Sequence, residues 1–332
     1  MKVAFIKPDH IGDFVLSLPA IRATLMLNEE VAVFAPPRNK FLVDHFFNDR
    51  VSFRPFTLQE FERSRGALPP TSDDAQALKG FDVVAYLRDD EQLTKFAAAF
   101  DLNFVKCNSH ASLHESKIQA NALFPYVGFY EPTSLFPAPP WPTHIDTVGF
   151  CISAGFRTNK IPATLFHALA RHLRARGVTR FKIIGGPAER EEAFVLANAI
   201  SVRDDSVIIG GDSLDIFFDR VRDCDLAIGG DSGTLHLLST QIPTFGLYTS
   251  SPWWRFCPIG LQNRIVIYEI DCRPCIQFMP NMINTCVTRE CLGGLQPDLI
   301  AEAVFENFGG SRYIRRKGLL FMESPCHFPR IN

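Results

Sequence analysis

Short apolar runs alternate with amphipathic stretches along most of the chain. Near the start, VAFI is followed by a helical pattern over Phe14–Leu27, then by VAVFA, then by the helical KFLVDHFF. FDVVAYL, Phe81 to Leu87, predicts a further buried strand, with a helix after it through EQLTKFAAAF. Runs this short and this apolar suit strands covered on both faces, and their alternation with helices predicts a parallel sheet. Pro19, inside the first helical pattern, predicts a kink or a restart, because proline has no N–H to donate.

The alternation stops at YEPTSLFPAPPWPTHI, Tyr130 to Ile145, where five of sixteen residues are proline. No regular element tolerates that density, so the stretch predicts a stiff connection. The pattern then resumes. DTVGFCIS reads as a strand, PATLFHALARHLRARG as an amphipathic helix closing at Gly177, RFKIIGG as a strand and PAEREEAFVLANAI as a helix. SVIIGG, SLDIFFDRVRDC, DLAIGG, DSGTLHLLST and IPTFGLYTS continue the series, and PDLIAEAVFENF predicts a last helix. The expected architecture is α/β: two Rossmann-like, doubly wound domains facing a cleft, residues 1–145 and 146–332, with the proline-rich connection at 130–145.

Composition narrows the class of function. The chain has 332 residues, 46% hydrophobic and 21% charged, with 34 basic against 36 acidic side chains and a formal net charge of −2. That balance gives no electrostatic footprint for nucleic acid. No apolar run approaches the roughly 18 residues of a membrane-spanning helix, and Lys7, Asp9 and Asp13 come too early for a secretory signal. A cytoplasmic protein with reduced thiols is expected. The basic run RYIRRKG reads as a solvated face, with peripheral contact at the inner face of a membrane as the alternative.

Candidate chemistry concentrates at strand ends, where ligands bind in open α/β sheets. LAIGGDSGTLHLLSTQIPTFGLYTSS, Leu226 to Ser251, places Gly229-Gly230 at a strand end and Asp231 or Ser232 where it can cap the next helix. Free backbone N–H groups there suit a phosphate or pyrophosphate. Gly233 leaves room for a ligand near the backbone, and His236, one turn on, is within reach of a phosphate oxygen. Arg157 and Lys160, in AGFRTNKIP, stand at the same sheet edge and would neutralise a diphosphate. Glu189, in IIGGPAERE, is a candidate acceptor for ribose hydroxyls, although a glutamate in the first turn of a helix also has a purely structural explanation. Asp13, between the first strand and an apolar helix, is either chemistry or a helix cap. Neither G-x-G-x-x-G nor G-x-x-x-x-G-K-[ST] occurs, which argues against a nicotinamide enzyme and a P-loop nucleotidase. A G-x-S-x-G elbow for a serine hydrolase is also absent.

DHIGDFVLSLPAIRATL, KIIGGPAERE, RDCDLAIGGDSGTLH and DSGTLHLLSTQIPTFGLYTSSPWWRFCPIG together resemble, in order, the signature blocks of glycosyltransferase family 9, the ADP-heptose:lipopolysaccharide heptosyltransferases. The resemblance implies a GT-B fold with the acceptor mainly on the first domain and the nucleotide sugar mainly on the second. It implies transfer of heptose from ADP-heptose with inversion and no catalytic metal, to a lipopolysaccharide-core or related glycan or glycolipid acceptor. Asp13 would be the base that deprotonates the acceptor hydroxyl. Asp231, Ser232, Gly233 and His236 would hold the ADP portion, Lys160 the diphosphate and sugar side, with Arg157 and Glu189 as looser matches. Two departures stand out: the family more often has threonine at Ser232, and the segment ahead of Lys160 carries Gly155 and Phe156 where hydroxyl residues are usual.

Of nine cysteines, Cys272, Cys275, Cys286 and Cys291 cluster as C-x2-C-x10-C-x4-C. C-x-x-C brings two thiolates to adjacent tetrahedral vertices, so a structural zinc or iron is one reading and four reduced thiols under a loop the other. In the autotransporter-modifying heptosyltransferases, which the chain resembles more distantly, four such cysteines hold an iron. Rival readings are a protein heptosyltransferase, a catalytically silent sugar-nucleotide binder and a sugar-nucleotide epimerase.

Overall fold

The structure is a computed structural model that describes residues 1–8, 10–27, 30–56, 76–86, 102–106, 113–128, 141–211, 213–260, 262–275, 285–308 and 311–323. The predicted helix over EQLTKFAAAF and most of the proline-rich stretch lie outside the described residues. The chain divides into two compact units, Met1–Leu135 and Phe136–Asn332.

In the first unit, β1 (Lys2–Ile6), α1 (Ile11–Val15), α2 (Leu18–Leu27), β2 (Glu30–Ala35), α3 (Lys40–Phe47), β3 (Ser52–Pro55), β4 (Val83–Tyr86), β5 (Phe104–Lys106) and α4 (Glu115–Val127) follow in order. The strands form one parallel sheet ordered β3-β2-β1-β4-β5. Val3 to Ile6 and Val31 to Ala35 are buried without interruption, as a sheet covered on both faces requires. Pro19 takes the second position of α2, where a missing N–H costs nothing, so the helical stretch breaks at Leu16-Ser17 and restarts. Ser116 Oγ, in the first turn of α4, donates to Leu16 O at 2.8 Å and ties α4 to that break.

The second unit contains β6 (Thr147–Cys151), α5 (Ala163–Arg174), β7 (Arg180–Gly185), α6 (Arg190–Ala199), β8 (Val207–Ile209), α7 (Leu214–Val221), β9 (Leu226–Gly230), α8 (Gly233–Leu238), β10 (Thr244–Tyr248), α9 (Trp253–Phe256), β11 (Asn263–Tyr268), α10 (Glu290–Gly293), α11 (Pro297–Phe305), β12 (Tyr313–Arg316) and β13 (Leu319–Glu323). The sheet order is β12-β13-β11-β10-β9-β6-β7-β8. Its six parallel strands, taken in chain order, run 3-2-1-4-5-6, the doubly wound pattern in which winding reverses between β6 and β9. α5 buries Leu165, Phe166, Leu169, Ala170 and Leu173 along one stripe, and the turn after it closes at Gly177 with φ +100°, which favours glycine. Phe150 packs against Phe166 and Phe181 with ring centroids 5.1 and 5.2 Å apart, at the centre of this unit's core.

The basic run is part of the fold. Tyr313–Arg316 and Leu319–Glu323 form a hairpin around Lys317-Gly318, both with positive φ, and β13 pairs antiparallel with β11. Arg315 pairs with Glu269, and Arg316 with Glu302 and Glu306.

Candidate functional site

In the second unit the segments after β6 and β9 leave the sheet at its winding reversal, the point where a doubly wound sheet opens a crevice. β9 ends in Gly229-Gly230. A Cβ on Gly229 would lie 2.6 Å from the Cβ of Cys151, and one on Gly230 would lie 2.6 Å from Asn159 O. These glycines therefore belong to a crowded strand end rather than to a tight turn. They let the segment after β6 fold down onto the end of β9.

Ser232 is the N-cap of α8, its Oγ accepting from Leu235 N at 3.3 Å. That leaves Asp231 for other work. Asp231 Oδ1 is 3.2 Å from His236 Nε2, and its Oδ2 accepts from Asn159 Nδ2 at 3.3 Å. His236 is 3% exposed, and its Nδ1 is buried with no partner among the described residues. With six residues, α8 is short, so any anion here is served by the N–H groups of the turn rather than by an extended macrodipole.

Asn159 joins the parts. It is 2% exposed; its Nδ2 also donates to Ser251 Oγ at 2.7 Å, while Ser250 Oγ donates to Asn159 Oδ1 and lies 2.9 Å from Thr158 Oγ1. Thr249 Oγ1 donates to Thr158 O at 2.7 Å. A run of three hydroxyl residues after β10, Thr249-Ser250-Ser251, thus holds the single 3-10 turn Arg157–Asn159 from below. Ser153 Oγ and Thr234 Oγ1, 2.8 Å apart, add a second tie between the end of β6 and α8. Sequence reasoning missed Asn159 and the hydroxyl run as site residues. The hydroxyl run had a signal, TSS directly after a buried strand, and Asn159 had none.

Lys160 follows that turn. Its Nζ lies 2.7 Å from Glu192 and 3.8 Å from Glu189, at 26% side-chain exposure. Glu189 Oε2 accepts from Gly186 N at 3.0 Å, so the carboxylate closes the β7–α6 turn and faces Lys160 at once. Arg157 is exposed. Lys160 and Glu189 are thus brought together, as are Asp231 and His236, while Asp13 belongs to the other unit.

Asp13 lies in the first turn of α1, half-buried, with its carbonyl accepting from Ser17 Oγ at 3.0 Å. Asp13 is not itself the N-cap, which is His10 in extended conformation, but the acidic residue of the first turn.

The cysteines form a different kind of neighbourhood. Cys275 and Cys291 are buried, Cys286 half-buried and Cys272 exposed. Burial pushes the Cys275 and Cys291 thiols up. Arg273 lies among them, and burial lowers its guanidinium to about 10 against the opposing pull of Cys291, Cys275 and Cys272. Among the described residues, no group of three or more His, Cys, Asp or Glu side chains is gathered to hold a metal ion. The four cysteines nonetheless supply the donor chemistry that a structural zinc or iron takes.

The model of glycosyltransferase family 9 (heptosyltransferase) matches residues 91–282. No curated protein matches the sequence. Among solved structures, a glycosyl transferase family 9 protein from Veillonella parvula aligns at TM-score 0.70 and 14% identity, covering 92% of this chain and 97% of that one. E. coli heptosyltransferase WaaC with ADP aligns at TM-score 0.62 and 13% identity, over 92% of this chain and 99% of the other. The E. coli ADP-heptose lps heptosyltransferase II gives TM-score 0.58 and 17% identity, over 92% and 98%. At these identities the likeness is one of fold.

Proposed function

The chain belongs to glycosyltransferase family 9, and on that premise we propose that it moves a heptose from ADP-heptose to a lipopolysaccharide-core or related surface-glycan acceptor, with inversion and without a catalytic metal. The observation that carries the donor half is the Asp231-Ser232-Gly233 turn at the winding reversal of the second unit. Two facts support ADP as the nucleotide: one fold neighbour is a heptosyltransferase with ADP, and another acts as an ADP-heptose enzyme by its name.

In this reading the N–H groups of the turn and the Lys160 ammonium receive the charge that develops on the departing diphosphate. Oriented donors of this kind replace the cation that other transferases use. Lys160, held by Glu189 and Glu192, exchanges those carboxylates for phosphate oxygens when the donor arrives. Asp231 fixes the His236 ring through Nε2. On the acceptor side, Asp13 takes the proton of the attacking hydroxyl. An ordinary aspartate, with pKa near ~4, is a weak base, so exclusion of water on substrate binding raises its basicity. Inversion follows from a single in-line displacement at the anomeric carbon. The same reading puts the work in the cytoplasm, at or near the inner face of the membrane. Separately, among the described residues no helix is long and apolar enough to cross a membrane.

Calorimetric titration with ADP, ADP-heptose, UDP-glucose and GDP-mannose tests the donor. Selective binding of ADP and ADP-heptose is the expected result. Preference for another nucleotide overturns the heptose assignment and keeps the transferase class. Turnover of ADP-heptose without an acceptor overturns transfer in favour of an epimerase. Binding with no turnover on any acceptor points to a silent binder.

A further inference from the structure

Arg289 belongs to the cysteine-rich segment, two residues before Cys291, and no motif singles it out. Its Nη2 donates to the carbonyls of Thr158, at 3.3 Å, and of Lys160. Those partners lie 131 and 129 residues earlier in the chain, so the contact is tertiary. Thr158 O also accepts from Thr249 Oγ1, and Thr249 O in turn accepts from Arg273 Nε, the other arginine of the same segment. Arg273 is anchored further by donating to Tyr268 O at 3.2 Å. Two guanidiniums from the cysteine-rich segment therefore converge on one short turn, Arg289 directly and Arg273 through a threonine.

That turn ends at Lys160. Its own backbone-to-backbone bonds among the described residues are those of a single 3-10 turn, Asn159 N to Phe156 O at 3.0 Å and Lys160 N to Arg157 O at 3.2 Å. One turn of this kind does not hold its own shape, since nucleation fixes several dihedrals for each bond gained. Outside bonds to its carbonyls must supply the rigidity. The C=O groups of Thr158 and Lys160 both accept from the one Nη2 of Arg289, whose two N–H bonds serve the two carbonyls at once. Arg289 has an αL backbone, φ 44° and ψ 43°, at the start of α10.

We propose that Arg289 is a positioning residue for the donor: by bridging the Thr158 and Lys160 carbonyls it fixes the turn that presents Lys160, so the cysteine-rich segment serves as a brace for nucleotide-sugar binding. This rests on the donor reading above. The brace acts through backbone carbonyls, and it requires neither a metal nor oxidation of the thiols.

The test combines amide hydrogen exchange with a double-mutant cycle. Exchange of the 157–161 amides is measured in nucleotide-free protein, wild type against Arg289→Ala. ADP is then titrated into wild type, Arg289→Ala, Lys160→Ala and the double variant. The expected results are faster exchange confined to that turn and a loss of roughly tenfold in ADP affinity in Arg289→Ala. In the Lys160→Ala background, the same change is expected to cost less than about twofold. Unchanged exchange overturns the brace. Additive losses in the cycle overturn the route through Lys160. Wild-type protein that binds neither ADP nor ADP-heptose overturns the donor reading instead, a result distinguishable because exchange is read without nucleotide. Should Arg289→Ala not fold, Arg289→Met, which keeps much of the apolar stem and removes the donors, enters the same cycle.

Discussion

The winding reversals of the two units share a topology and differ in construction. In the first unit the segment after β1 leads through His10 into α1, and Asp13 is half-buried in a five-residue helix that lacks a side-chain cap. In the second unit the corresponding segment after β6 is pinned by Asn159, Thr249, Ser250, Ser251, Asp231 and Arg289. Both open at the same place in an open α/β sheet. One carries a half-buried carboxylate in the first turn of a short helix; the other is a dense, mostly buried polar network. The difference matches the proposed division of labour. A group that exchanges a proton with a variable acceptor gains from an adaptable setting, whereas an invariant diphosphate is best met by donors fixed in advance.

The largest expected effect breaks this comparison on the first unit's side. Asp13→Asn should lower transfer by about 10²–10⁴-fold, the usual worth of a general base, while ADP affinity stays within a few fold. Steady-state kinetics paired with calorimetry reads both, and an equal loss in affinity would move Asp13 into the donor site. Gly230→Ala attacks the second unit's network from behind. The added Cβ must displace the Asn159 backbone, and thermal unfolding should report about 1–3 kcal/mol of lost stability together with weaker ADP binding. An alanine tolerated without cost would show that the network is slack. His236→Ala should weaken ADP by roughly 1–3 kcal/mol, because Asp231 loses the ring and, among the described residues, keeps Asn159 as its side-chain partner. Unchanged affinity would remove His236 from the donor site. The smallest expected signal concerns the cysteines: metal analysis of protein purified without chelator should find substoichiometric zinc and iron. A full equivalent would show that the four thiols gather around a metal in solution.

The strand–helix alternation was readable because buried parallel strands have a compositional signature. VAFI, VAVFA, DTVGFCIS and RFKIIGG all became strands of the expected sheets. Asp231, Ser232 and His236 were readable because a strand end, a cap residue and the first helical turn are neighbours in sequence, and contacts of that range follow local rules. NRIVIY and the hairpin RYIRRKGLLFME were legible as strands and went unread, the second although Lys317-Gly318 offers a two-residue turn with positive φ at both positions. Asn159, Arg273 and Arg289 were not legible. Each acts by contacts with residues distant in sequence, 72 positions for Asn159 with Asp231 and more than 120 for Arg289, and nothing in its own neighbourhood distinguishes it from a solvated loop residue. The glycines that end β9 were placed at a strand end; their cause is the crowding by Cys151 and Asn159, which only the assembled sheet reveals.

The antiparallel hairpin β12–β13 closes one side of the larger sheet with a strand bearing Arg315 and Arg316, each held by glutamates. Without it, β11 would present Ile265, Val266 and Ile267 on an open backbone edge to any passing chain. The hairpin is thus a colloidal safeguard: it covers that apolar edge with a short strand of charged side chains locked in ion pairs, a poor template for another copy of the protein.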